Sequence, residues 1–315
     1  MKKTVFSILG LLLFLYILYT VGIEAIIGSL LGLDLLIFSS ALVLLIPSLF
    51  LKGLKQKILL KPFESASSLV ENTKIWLIGF FFGTASPAKS GDTVRALYLK
   101  DSFSISLGQG LATVFLERIF DLVFLFAFAF MGVVMLGLPA GITNTIFVSL
   151  VAFFAIFVVV ILVMLNKSLV RIVIRPFFNF FAPEKFKASL KEGFNDFYEA
   201  VFSYSVHKKV SFSAGLLTAI SWLIVFGQFY LLAIALSINI SFASFILVLP
   251  IILLVEALPI SFGGLGAREA AAILMLSFLG VGAAAATSFS LTVLLFNIIQ
   301  AAIGFLLFNS MKKPI

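Results

Sequence analysis

Ile75-Trp-Leu-Ile-Gly-Phe-Phe-Phe-Gly-Thr-Ala-Ser86 is apolar, stops at Pro87-Ala-Lys-Ser-Gly91-Asp92 and resumes through Thr93–Leu99. As a helix the first run rises only about 18 Å, against roughly 30 Å of hydrocarbon in a bilayer, so it is too short to cross. A second stretch has the same form. Ser241–Leu258 ends at Pro259, continues as Ile260-Ser-Phe-Gly263-Gly264-Leu-Gly266 and resumes as Ala267–Leu279. Pro87-x-x-x-Gly91 is followed by Arg95, and Pro259-x-x-x-Gly263 by Arg268. Each stretch therefore reads as a half-helix, a glycine-containing break and a second half-helix.

The rest of the chain explains why such segments belong in lipid. Hydrophobic residues make up 62% of the 315 residues and charged residues 11%, and Phe alone occurs 38 times. A water-soluble domain is about half apolar and about a quarter charged. Long apolar runs recur at Thr4–Ile23, Leu35–Leu51, Ile119–Leu138, Thr145–Leu165, Phe212–Leu236, Ser241–Leu258 and Ala283–Phe308. No alternating pattern is visible, so they read as helices, giving an all-α polytopic membrane protein of about seven spans plus two re-entrant hairpins. Met1-Lys2-Lys3 before the first run suggests a signal peptide, but that run is longer than a typical signal core and reads as a retained anchor.

Charge sets the orientation. Lys2 and Lys3, then Lys52, Lys55, Lys57, Lys61 and Lys74, then the basic stretch 166–210, then Lys312 and Lys313 alternate with turns that hold no Lys or Arg. The positive-inside rule places both termini in the cytoplasm, as expected for a multi-pass protein of the cell membrane. The net charge of +8 reflects loops facing anionic lipid and not nucleic acid. In the cytosolic stretch, Phe186, Leu190, Phe194, Phe197, Val201 and Tyr204 fall on one helical face, suited to lying on the bilayer or on the bundle.

With this topology the first broken segment enters from the cytoplasmic side and the second from the outer side. The order of span, broken hairpin and span occurs over 35–138 and again over 212–308, in opposite orientation, within a single transmembrane domain spanning 1–315. Inverted repeats with discontinuous helices are a transporter construction, with the site where the breaks meet.

The chemistry in the breaks suits an anion. Helix N-termini carry partial positive charge, and Gly91, Gly263, Gly264 and Gly266 leave backbone N–H groups near them. Arg95 and Arg268 follow in the first turns, where a guanidinium can hold two phosphate oxygens. Glu117, Arg118, Asp121, Glu256 and Glu269 are further charges in apolar surroundings, with Arg118 in reach of Asp121 at i,i+3. These five are read as charge-balancing or proton-relaying groups, and Pro87 and Pro259 as the structural breaks. Glu117 falls near the cytoplasmic edge of its span, where an interfacial ion pair is the competing reading. No Cys, a single His207 and no nucleotide-binding or hydrolase motif leave little for acid–base or metal catalysis, so no enzyme activity, cofactor or metal is expected.

Gly83–Arg95, Ala112–Leu122 and Leu258–Glu269 together resemble the membrane domain of lysylphosphatidylglycerol synthase/flippase proteins and their stand-alone relatives. The resemblance covers roughly Thr4–Phe308. It implies lipid translocation, and it places the family's motif positions on Pro87, Gly91, Arg95, Glu117, Arg118, Asp121, Pro259, Gly263, Gly264, Gly266, Arg268 and Glu269. These 315 residues contain no aminoacyl-transferase domain, so synthase activity is not carried over, and a separate lipid-modifying enzyme is the candidate partner. The expected substrate is a membrane lipid with an anionic headgroup, either a phospholipid or a polyprenyl-phosphate lipid. The rival readings are an ion-coupled transporter of a small anion and an intramembrane subunit of a lipid-modifying enzyme.

Overall fold

The computed structural model describes residues 14–84, 86, 89–137, 140–166, 169, 184–258 and 264–311, with residues 140 and 184–192 as backbone only. Pro87, Pro259 and Gly263 lie outside the described residues. No strand occurs among those described.

Helices α1 (Phe14–Val21) and α2 (Ile23–Leu31) are bent by 83° at Gly22. Asp34 then caps α3 (Leu35–Val43), its carboxylate accepting the N–H groups of Leu36 and Ile37. With α4 (Leu45–Leu59) this makes one run of 25 residues. The first hairpin follows: α5 (Leu69–Thr84), a 3-10 turn over Ser90–Val94, and α6 (Arg95–Phe103). Ser106 and Gln109 form a reciprocal capping box that opens α7 (Leu107–Met135). Next come α8 (Ala140–Leu165), α9 (Glu184–Val206) and α10 (Lys208–Ala235). The second hairpin pairs α11 (Phe242–Ala257), capped by Ser241, with α12 (Ala267–Ser277), and α13 (Ala283–Ser310) follows it.

Five described helices are long and apolar enough to cross a bilayer, or six if the bent pair α1–α2 is one span. The count covers the described residues alone, and the run Ser241–Leu258, read from the sequence as a span, is not among the helices counted. The run Ser241–Leu258 yields a helix of only 16 residues, which rises about 24 Å and forms a limb of the second hairpin. The first hairpin's long limb, α5, is also 16 residues.

The two halves interlock. The long limb of each hairpin packs on the closing span of the other half, α5 on α13 and α11 on α7. Both crossings depend on a missing side chain: a Cβ at Gly304 would strike the Leu77 carbonyl, and one at Gly132 the Leu247 carbonyl. Small residues that let backbones approach closely are the usual device of packing in lipid. Around these crossings Phe126, Phe226, Phe245, Phe289 and Phe296 form a buried aromatic core drawn from four helices.

Helix α8 shows the opposite surface. Val148, Ile156, Val159 and Leu162 are exposed on it, while Phe153 and Phe157 meet Phe126 of α7. An apolar face this open would be untenable in water and is ordinary against hydrocarbon. Helix α9 lies on the bundle. Its buried Tyr204 donates to the Leu59 carbonyl at 2.8 Å and meets the Thr113 hydroxyl at 3.1 Å, tying α9 to the ends of α4 and α7. Burial pushes the Tyr204 phenol above its ordinary range, which keeps it a neutral donor there.

Candidate functional site: two charged clusters joined at the hairpin breaks

The first cluster is built where α4, α5, α6, α7 and α10 converge. Helix α4 continues about two turns past its apolar run, to Leu59, carrying Lys52, Lys55 and Gln56 inward. Lys55 is fully buried, donates to Asp121 Oδ1 at 2.8 Å and lies 3.5 Å from Glu117 Oε1. Arg95 opens α6. Its Nη1 lies 2.8 Å from Glu117 Oε2 and donates to Gln56 Oε1 at 3.2 Å, and its Nη2 lies 3.2 Å from Asp92 Oδ2. Arg118 donates to the same Asp92 oxygen through Nε, at 2.9 Å, and through Nη2. Two indoles complete the shell: Trp76 Nε1 donates to Glu117 Oε1 at 2.9 Å and Trp222 Nε1 to Asp121 Oδ1 at 3.0 Å. Gly79 makes room for the group, since a Cβ there would lie 2.6 Å from Asp92 Oδ1.

The second cluster sits at the start of α12. Gly264 and Gly266 have φ of +80° and +83°, a backbone that L side chains rarely adopt, and the chain turns through them into the helix. Glu269 folds back so that its carboxylate accepts the Gly266 N–H. Its other oxygen accepts from Arg268 Nη2 and from the Ser290 hydroxyl, both at 2.8 Å, while Arg268 Nε donates to Ser290 Oγ at 2.8 Å. Arg268 Nη1 lies 3.9 Å from Glu256 Oε2. Ser290 stands as far along the chain from Arg268 as Glu117 does from Arg95, so the two arginines meet equivalent places on α13 and α7.

The clusters are joined. Lys89, from the first break, places Nζ 3.0 Å from Oε1 of Glu256, next to the second break. Intramembrane charges cost about 2.5–3.5 kcal/mol each on insertion scales, which the pairings across both hairpins offset.

The structure brings Arg95, Glu117, Arg118 and Asp121 into one cluster and Glu256, Arg268 and Glu269 into the other. It changes several details. Arg118 pairs with Asp92 of the hairpin and not with Asp121. Glu117 is 1% exposed and pairs with both Arg95 and Lys55. Asp92 is the ion-pair partner of both Arg95 and Arg118. The glycines do not present free N–H groups as expected: the Gly91 N–H donates to the Ser86 hydroxyl at 2.6 Å, and that of Gly266 to Glu269. Gly264 instead packs against the Glu256 side chain, and Gly91 against the Phe82 carbonyl.

Lys52, Lys55, Gln56, Trp76, Lys89, Trp222 and Ser290 are the residues sequence reasoning did not select. Lys52 and Lys55 had been counted as loop lysines. Their spacing with Gln56 and Leu59 marks a buried helical face, and that signal was available. Among the described residues no group of His, Asp and Glu is placed to hold a metal ion. The family model described as lysylphosphatidylglycerol synthase TM region matches residues 4–304. No curated protein and no solved structure matches the chain.

Proposed function

We propose that this chain, which belongs to the lysylphosphatidylglycerol synthase transmembrane-region family, moves an anionic lipid between membrane leaflets, with the headgroup passing between the two hairpin breaks and the tails remaining in the bilayer. The observation that carries this reading is the Lys89–Glu256 pair, the one ion pair among the described residues that links the two breaks. Around it, Arg95 and Arg268 are held by the protein's own carboxylates, and Glu269 occupies the N-terminus of α12, where a helix would otherwise attract an anion. An arriving phosphate exchanges with those carboxylates. That exchange keeps each guanidinium paired throughout and avoids the cost of exposing a bare charge to lipid.

Movement is passive or coupled to a gradient in this reading, and the chain acts as a conduit and not as a catalyst. In this reading both termini face the cytoplasm of the cell, which the exposed Lys61, Lys74, Lys208 and Lys209 support under the positive-inside rule.

The chain has no cysteine, which permits a reversible test. Lys89→Cys with Glu256→Cys, bridged by a short bifunctional methanethiosulfonate, is expected to stop lipid flux in reconstituted vesicles at least tenfold, and a reductant is expected to restore the unbridged rate. Flux unchanged by the bridge would remove the space between the breaks from the pathway. A small-anion transporter, the second reading, would carry inorganic phosphate in the same vesicles without moving lipid.

A further inference from the structure

We propose that Lys52, set between Trp76 and Trp222, is a binding site for a phosphodiester carrying a single negative charge. The inference rests on the lipid-translocation reading and narrows its substrate class.

Lys52 differs from every other cation of the two clusters. Lys55, Arg95, Lys89 and Arg268 each lie within 3.0 Å of a carboxylate oxygen, and Arg118 donates directly to Asp92. The Lys52 side chain is 7% exposed, its nearest carboxylate oxygen is Asp121 Oδ1 at 3.7 Å, and it has no hydrogen-bond acceptor among the described residues. Its ammonium is held by ring faces, 5.0 Å from the centroid of Trp222 and 5.9 Å from that of Trp76. Cation–π contact compensates part of the charge but accepts none of its N–H groups. The indole N–H groups are committed to Asp121 and Glu117, so the box is fixed in place. The ammonium therefore keeps its N–H donors free of any protein acceptor at a nearly buried position, where the oxygen atoms of an anion can take them up.

Charge balance selects the anion. In the first cluster Lys52, Lys55, Arg95 and Arg118 exceed Asp92, Glu117 and Asp121 by one positive charge. In the second, Lys89 and Arg268 are matched by Glu256 and Glu269. The surplus is one charge, and it coincides with the one cation lacking an acceptor. A phosphodiester brings one negative charge and free oxygens, leaving the cluster neutral. A phosphomonoester brings about −1.5 to −2 near neutral pH and would reverse the imbalance. Phosphodiester linkages occur both in glycerophospholipids and in polyprenyl-phosphate sugars, so the charge rule applies to either tail.

The chain's two tryptophans are both walls of this box, so selectively excited tryptophan fluorescence of the purified full chain reports the site. Titration in neutral detergent would use a short-chain phosphatidylglycerol, a polyprenyl-phosphate sugar, a short-chain phosphatidic acid and inorganic phosphate. A saturable change is expected with at least one diester, at a concentration tenfold or more below that needed for phosphatidic acid or inorganic phosphate. Which diester responds identifies the lipid source. In Lys52→Met the diester response is expected to weaken at least tenfold. Phosphatidic acid or inorganic phosphate binding as tightly as the diesters, or a Lys52→Met titration that superimposes on the unmodified chain, would overturn the proposal. Should Lys52→Met fail to fold, the ligand order of the unmodified chain decides. Diester binding without lipid flux would remove translocation and leave the site; flux without a tryptophan response would do the reverse.

Discussion

The two hairpins share a skeleton and differ in what they bury. Each has a long limb of 16 residues, a short limb opening near an arginine, and a glycine crossing onto the other half's closing span. On that common frame the first hairpin gathers seven charged side chains together with two indoles, whereas the second holds a compact set closed by Glu269 and a serine. Where the first half presents Glu117 to its arginine, the second presents Ser290. One cluster is an extended polar surface drawn from five helices; the other is a smaller set around the start of α12, completed by Glu256 of α11 and Ser290 of α13. The comparison teaches that the two hairpins share their backbone packing while differing in the charge they bury.

That division can be broken at its heavier side. Glu117→Gln removes a carboxylate shared by Arg95, Lys55 and Trp76, and leaves a surplus of buried positive charge. The expected cost is about 3–5 kcal/mol, read as a loss of monodisperse protein or a marked fall in thermal midpoint in detergent. A shift as small as that of a surface substitution would mean that the cluster is wetter than its burial indicates.

The skeleton itself is tested by Gly132→Ala and Gly304→Ala. Each places a Cβ against a backbone carbonyl of the opposite hairpin limb, which cannot swing aside. Both are expected to destabilise by about 1–3 kcal/mol, with similar values. A large effect at one glycine and none at the other would dissolve the claimed equivalence of the two crossings.

The smallest effect sharpens the contrast between Glu117 and its serine counterpart. Ser290→Ala removes one hydroxyl from the Arg268–Glu269 pair but leaves that pair in direct contact. The expected loss is about 1 kcal/mol in the same thermal assay. A loss equal to that of Glu117→Gln would show that the two positions carry the same weight after all.

What could be read from the chain follows the same line. The broken segments were legible because Pro, Gly and length act locally: a 12-residue apolar run before Pro87-x-x-x-Gly91 cannot be a span wherever it is placed. The pairing of Arg118 with Asp92 was not legible, since the local rule offered Asp121 three residues away and a tertiary neighbour supplied the better geometry. Lys52 and Lys55 were misread because mean hydropathy falls after Leu51, although the helix continues to Leu59. Their inward face shows in the spacing, but Lys55's partner is 66 positions away in Asp121 and no spacing announces it. Ser290 stands among Thr287, Ser288 and Thr292 on the same helix, and nothing in the sequence set it apart from them.

The contact between Gly304 and Leu77 also bears on how the protein is made. A ribosome delivers the chain from its N-terminus, so the first hairpin is in the membrane well before α13 exists. Until the last span is inserted, the face of α5 that receives Gly304 has only lipid against it. Biogenesis is therefore not a matter of one half folding and the second joining it: the oldest hairpin settles last, and a chain released before Gly304 would hold both residues of the Gly132–Leu247 crossing but lack the contact that closes α5.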